Sequence, residues 1–196
     1  MANIECWARH GAHKDNVLTA DGILEVEIAA EYLADDLPPG TISVVLASSE
    51  VDRAIKSADI YRRALEAKGI KVIDLGPQAA LNPAPGVLAA YVGNHTPVRH
   101  GRGFMAWWRS CPPSDLPDGC ETVEQAGTPS ASYAESLERA YPGIPRVLVA
   151  HGGFTIEPGI LARTNGLVKI DDLPSAAFVA LDFDAHSSFL FDPKEV

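Results

Sequence analysis

Apolar positions along the 196-residue chain fall into two alternating rhythms. Short, nearly continuous apolar runs at 4–8, 42–47, 71–75, 146–150 and 177–183 have strand length. A run such as 42–47, with no polar alternation, predicts a strand covered on both faces. Between the runs the spacing changes to three and four. Ile23, Val26, Ala30, Leu33 and Leu37 predict a helix that starts at Ala20 behind Thr19, carries Asp21 in its first turn and stops at Pro38-Pro39-Gly40. Ala54, Ala58, Tyr61 and Leu65 predict a second helix, opened by the capping pair Ser49 and Asp52 and closed by Lys68-Gly69.

Strands alternating with helices predict an α/β fold, a three-layer α/β/α sandwich around a mostly parallel sheet. There is no internal repeat and no linker, so residues 1–196 read as a single domain. Segment 76–143 breaks the rhythm. It is rich in Pro and Gly, holds short helical pieces at 86–92 and 130–140, and is expected to form an irregular cap insertion over the site. Phe104, Trp107 and Trp108 are expected to anchor that cap to the core.

Composition narrows the function. With 46% apolar and 21% charged residues the chain has enough core to fold. A net charge of −10 excludes nucleic acid as a partner, because no basic arm offsets the repulsion from phosphates. An anion bound here is small and held by a few placed cations. The longest uncharged run, between Asp74 and Arg99, contains four prolines, so no membrane span is expected. Three cysteines without zinc spacing, and an N-terminus without signal-peptide character, predict free thiols (Cys111 and Cys120 included) and a cytoplasmic setting.

The chemistry collects at strand ends. The first strand runs into Arg9-His10-Gly11, the second into Ser48-Ser49 with Arg53 one turn into the next helix, and the fourth into His151-Gly152-Gly153. Parallel strands put these ends on one rim, where ligands bind in open α/β sheets. Two guanidiniums, two imidazoles and two helix starts then face one pocket suited to a tetrahedral dianion. Glycine after each histidine is expected to let backbone approach the ligand.

These residues resemble the histidine phosphatase, or phosphoglycerate mutase-like, superfamily. Arg9-His10-Gly11, with Asn16 and Leu18-Thr19-x-x-Gly22 beyond, resembles its first motif. Ser48-Ser49-x-x-x-Arg53-Ala54 resembles the second, and Val149-Ala150-His151-Gly152-Gly153 the third. The resemblance implies a phosphatase. His10 would attack phosphorus and become a phosphohistidine that water hydrolyses. Arg9, Arg53 and His151 would clamp the transferring phosphoryl, and Asn16 and Gly11 would add substrate contacts. No metal or other cofactor is implied, since fixed cations take that role. The partner is a small phosphorylated substrate or a phosphoprotein.

The chain also departs from the family pattern. Many members carry a glutamate after the third strand, whereas Ala80-Leu81-Asn82-Pro83-Ala84-Pro85-Gly86 has no carboxylate and resembles the Leu-x-Pro of small phosphohistidine phosphatases. Gly119-Cys120-Glu121 resembles the Gly-Glu-Ser turn of larger members, making Glu121 the candidate polar contributor at the rim. A second Arg-His-Gly, Arg99-His100-Gly101 with Arg102 behind it, follows a Pro-containing loop and reads as a basic loop, not a second catalytic copy. Phosphoglycerate mutase-type transfer and non-catalytic phosphate binding on the same fold are the alternatives. An esterase is excluded because no Gly-x-Ser-x-Gly elbow exists.

Overall fold

The first apolar run forms β1 (Ile4–Arg9) in the computed structural model, which describes residues 3–96 and 103–195. A small hairpin follows, β2 (His13–Lys14) and β3 (Val17–Leu18). Its two turn residues, Asp15 and Asn16, have φ of 50° and 65°, the left-handed region that Asp and Asn enter most readily after glycine. α1 (Ala20–Asp36) starts behind Thr19, whose hydroxyl accepts from the Gly22 N–H at 3.0 Å. Then come β4 (Ser43–Ser48), α2 (Asp52–Ala67), β5 (Lys71–Pro77), α3 (Pro85–Val92), α4 (Phe104–Ser110) and α5 (Val123–Ala140). β6 (Arg146–Ala150), α6 (Ile156–Arg163), β7 (Phe178–Asp182) and β8 (Ser187–Phe191) complete the chain.

The sheet runs β5-β4-β6-β1-β7-β8. Its first four strands are parallel, β7 runs antiparallel to β1, and β8 runs antiparallel to β7. Strand residues alternate between two cores. Cys6, Ala8, Val44, Leu46, Val147 and Val149 meet α1 and α2. Trp7, Val45, Ala47, Leu148 and Ala150 meet α5 and α6. Each fully buried large apolar side chain contributes about 1.5–3 kcal/mol, so both layers are needed to hold the central strands. The parallel neighbours β4, β6 and β1 deliver Ser48-Ser49, His151 and Arg9-His10 to one rim.

Several details differ from the sequence reading. Ser49 does not cap α2; Val51 does, without a side-chain bond, because the Ser49 hydroxyl is drawn into the site. The helical piece expected at 130–140 begins at residue 123. Its capping box, Thr122 with Gln125, and its packing on α6 outweigh the internal Pro129, so α5 is a layer of the sandwich and not cap. Ile23 is 39% exposed and Ile42 is 80% exposed, outside the core; Gly22 and Ala29 take the inward positions of α1 instead. β8 was not legible, since only Phe191 of its five residues is buried.

The cap aromatics behave as expected: Phe104 and Trp108 are buried with Val87, Met105 and Val123, and Trp107 is half-buried against them. All three cysteines are free. Among the described residues no helix is long and apolar enough to cross a membrane. Arg99, His100 and Arg102 lie outside the described residues.

Candidate active site

His10 ends β1 and is pinned by its own backbone, with its N–H on the Ala150 carbonyl and its carbonyl accepting from Ala176. Its imidazole is almost fully buried. Nδ1 lies 2.9 Å from the Gly11 carbonyl, an atom that only accepts, so Nδ1 carries the proton. Nε2 is therefore a lone pair, and it accepts from the Arg53 Nε at 2.9 Å. Arg53 reaches the site from the first turn of α2, at the end of β4. Its Nη1 donates to Asn16 Oδ1, which the Asp15-Asn16 turn presents, and its Nη2 lies 3.1 Å from His151 Nδ1.

His151 ends β6 and is 2% exposed. A guanidinium only donates, so His151 Nδ1 is also a lone pair and Nε2 holds the proton. Nε2 donates to Ser49 Oγ at 2.8 Å, and the Ser49 hydroxyl donates in turn to Asn82 Oδ1 at 2.9 Å. The Asn82 amide is oriented in turn, because its Nδ2 donates to a Glu50 carboxylate oxygen at 2.7 Å. Both imidazoles are thus neutral, in defined tautomers, with lone pairs converging on one guanidinium.

The electrostatics agree. Burial, and after it the neighbouring His151, Arg53 and Arg9, hold His10 well below the usual histidine range. Burial, with Arg53 and Arg9 beside it, lowers His151 to about 3. Arg9, at the end of β1, is half-buried; its Nη1 donates to the Leu173 carbonyl while its side chain lies against Gly152. The arrangement can hold a compact anion between two guanidiniums, with an unprotonated nitrogen nucleophile at its edge.

The model of the histidine phosphatase superfamily (branch 1) matches residues 5–157. This chain belongs to the histidine phosphatase superfamily. No match to the sequence is found among curated proteins. Among solved structures the fold is similar to a mycobacterial glucosyl-3-phosphoglycerate phosphatase complexed with VO3 (TM-score 0.62, 21% identity, covering 97% of each chain). It is similar to YhfR of Bacillus stearothermophilus (TM-score 0.63, 15% identity, covering 97% of this chain and 96% of that one). A mutant phosphoserine phosphatase of Entamoeba histolytica, in complex with phosphoserine, is a third (TM-score 0.58, 15% identity, covering 97% and 95%).

Within this histidine phosphatase fold His10, Arg53, His151 and Asn16 are joined by direct hydrogen bonds, and Arg9 stands beside them through Gly152. Two expectations change. Gly11 has its N–H on the Ser57 hydroxyl and its carbonyl on His10, and a Cβ there would sit 2.2 Å from the Gly22 carbonyl oxygen. Its smallness serves the packing of α1. Glu121 gives its two oxygens to the N–H groups of Gly86 and Val87, so its carboxylate caps α3. Three further residues at or beside the site, His13, Asn82 and Glu157, are not singled out by the sequence. His13 stacks on His10 with ring centroids 5.0 Å apart, and its only signal was its place three residues on in the first motif. Ser49 reads from the sequence both as a rim residue and as a helix cap, and its hydroxyl bonds to His151 at the rim. Asn82 gives no local signal, because its partners Ser49 and Glu50 lie far along the chain, and Glu157, whose oxygens accept from the N–H groups of Gly153 and Leu173, reads as an ordinary helix-start carboxylate.

Proposed function

We propose that this protein is a phosphatase that removes a phosphoryl group from a small phosphorylated substrate or a phosphohistidine, through a covalent phosphohistidine on His10. The observation that carries this reading is the His10 tautomer: Nδ1–H on the Gly11 carbonyl and a bare Nε2 facing Arg53. Arg53 and Arg9 bind the phosphoryl oxygens, and Asn16 keeps Arg53 aimed. Nε2 attacks phosphorus in line, the N–P bond forms, and the P–O or P–N bond to the leaving group breaks. Water then attacks the phosphohistidine, orthophosphate leaves, and His10 returns with its lone pair.

His151 contributes differently from an arginine. Its Nδ1 lone pair would repel a phosphoryl oxygen, so the bound dianion draws a proton onto Nδ1 and His151 becomes a donor. The Ser49–Asn82 chain keeps Nε2–H engaged throughout. With Glu121 committed to α3, the reading favours leaving groups that depart without a carboxylic acid's help, as phosphoramidate nitrogens and acidic alcohols do.

The test is phosphate release from aryl phosphates, alkyl phosphates and a phosphohistidine peptide, each with and without a metal chelator. The expected result is release that is indifferent to chelator and rises steeply with leaving-group acidity. Oxyanion binding with no release from any substrate would overturn the reading in favour of a binding protein.

A further inference from the structure

We propose that Glu157 is a positioning residue for oxyanion binding: it ties the His151–Gly153 turn to the 171–176 loop and so holds Arg9 in register. The inference rests on the phosphatase reading and deepens it.

Glu157 sits in the first turn of α6 and is 2% exposed. One carboxylate oxygen accepts from the Gly153 N–H and the other from the Leu173 N–H at 2.9 Å. The Leu173 carbonyl, one peptide unit away, accepts from Arg9 Nη1. Gly152, on the other tied segment, lies against the same side chain, since a Cβ there would come within 2.8 Å of Arg9 Cδ. Both segments joined by Glu157 therefore touch Arg9. Arg9 depends on them, because among the described residues its buried Nε has no hydrogen-bond partner, while Leu173 accepts from its guanidinium. Glu157 also leads the charges that offset the desolvation of Arg9. The backbone just after it is tightly packed: a Cβ at Gly127 would sit 2.1 Å from the Pro158 carbonyl oxygen, and one at Gly159 would sit 2.9 Å from the Trp7 ring. The carboxylate is thus fixed to the α5–α6 layer and transmits that rigidity to Arg9.

A carboxylate that merely staples two loops would affect stability alone, and a double-mutant cycle separates the two roles. Tungstate binding is measured by calorimetry for wild type, Glu157→Gln, Arg9→Met and the double variant, well below their melting temperatures. The Gln amide keeps the shape but turns an NH₂ toward one of the two backbone N–H groups, releasing one segment. Glu157→Gln is expected to weaken tungstate about tenfold when Arg9 is present and less than about twofold when it is not. Equal losses in both backgrounds, or no loss in either, overturn the proposal. Wild type that fails to bind tungstate overturns the oxyanion site itself, and this inference with it. A second measurement needs no Glu157 variant: tungstate should slow amide exchange at Gly153 and Leu173 in the wild-type protein, and unchanged exchange there contradicts the proposal.

Discussion

His10 Nε2 and Arg53 Nε lie 2.9 Å apart, so the proposed nucleophile rests on one of the cations proposed to bind its substrate. In the proposed reaction this contact marks where the phosphoryl group goes. An anion entering between the two residues takes over the guanidinium's donors and leaves Nε2 free to attack. Burial is the main reason the imidazole is neutral, and the positive charge against Nε2 adds to it by opposing protonation.

Arg53→Ala is expected to lower kcat by roughly 10²–10³, as removal of other transition-state donors does. Steady-state phosphate release on the variant measures it. A loss of tenfold or less would place the phosphoryl group elsewhere.

Gly152→Ala tests the packing around Arg9. A methyl group there meets the Arg9 Cδ at 2.8 Å, and the flexible side chain yields before the backbone does. The variant should keep its fold by circular dichroism and lose on the order of 10² in kcat/KM, the cost of a misplacement of about 1 Å at a reacting centre. Near-normal activity would show that Arg9 does not need its observed position.

Oxyanion binding should be linked to proton uptake. His151, near 3 without ligand, gains a proton when a dianion faces Nδ1. Calorimetry of tungstate binding near pH 7, in buffers of different ionisation enthalpy, should show uptake approaching one proton per site. Zero uptake would mean that His151 stays neutral and does not contact the anion as a donor.

The same groups set the acid limit of stability. His10 and His151 are depressed in the folded protein, while unfolded histidine titrates near 6.5. Between that value and about 3 the unfolded chain binds more protons than the native one. The stability of the neutral imidazoles is therefore complete above pH of about 6.5 and falls as the pH drops through this window. Denaturant melts from pH 8 to pH 4 should show stability declining below 6.5, and less steeply in His151→Asn. A flat profile would contradict buried neutral imidazoles.

Much of the sandwich was legible because its causes are local. Unbroken apolar runs wrote the central strands, and Thr19 and Pro38-Pro39 wrote the ends of α1. The rim residues Arg9, His10, Arg53 and His151 were legible because parallel strands have one chemically active end. What escaped reading depends on distant partners. Ser49 has the spacing of a helix cap, yet His151 and Asn82 claim its hydroxyl. Pro129 reads as a boundary until α6 is there to pack against. β8 is an edge strand with little buried surface, so no apolar run announced it. Glu157 looks like an ordinary acidic residue at a helix start; its meaning lies in Leu173, a residue of another loop.

The most direct measurement is rapid-quench trapping of the enzyme during turnover at neutral to alkaline pH, followed by peptide mass spectrometry. The account predicts a phosphoryl group on His10 Nε2 that forms before orthophosphate appears and decays with it, and its absence, with turnover abolished and fold intact, in His10→Ala. Phosphate release by His10→Ala at the wild-type rate, or a phosphoryl group on another residue, would contradict it.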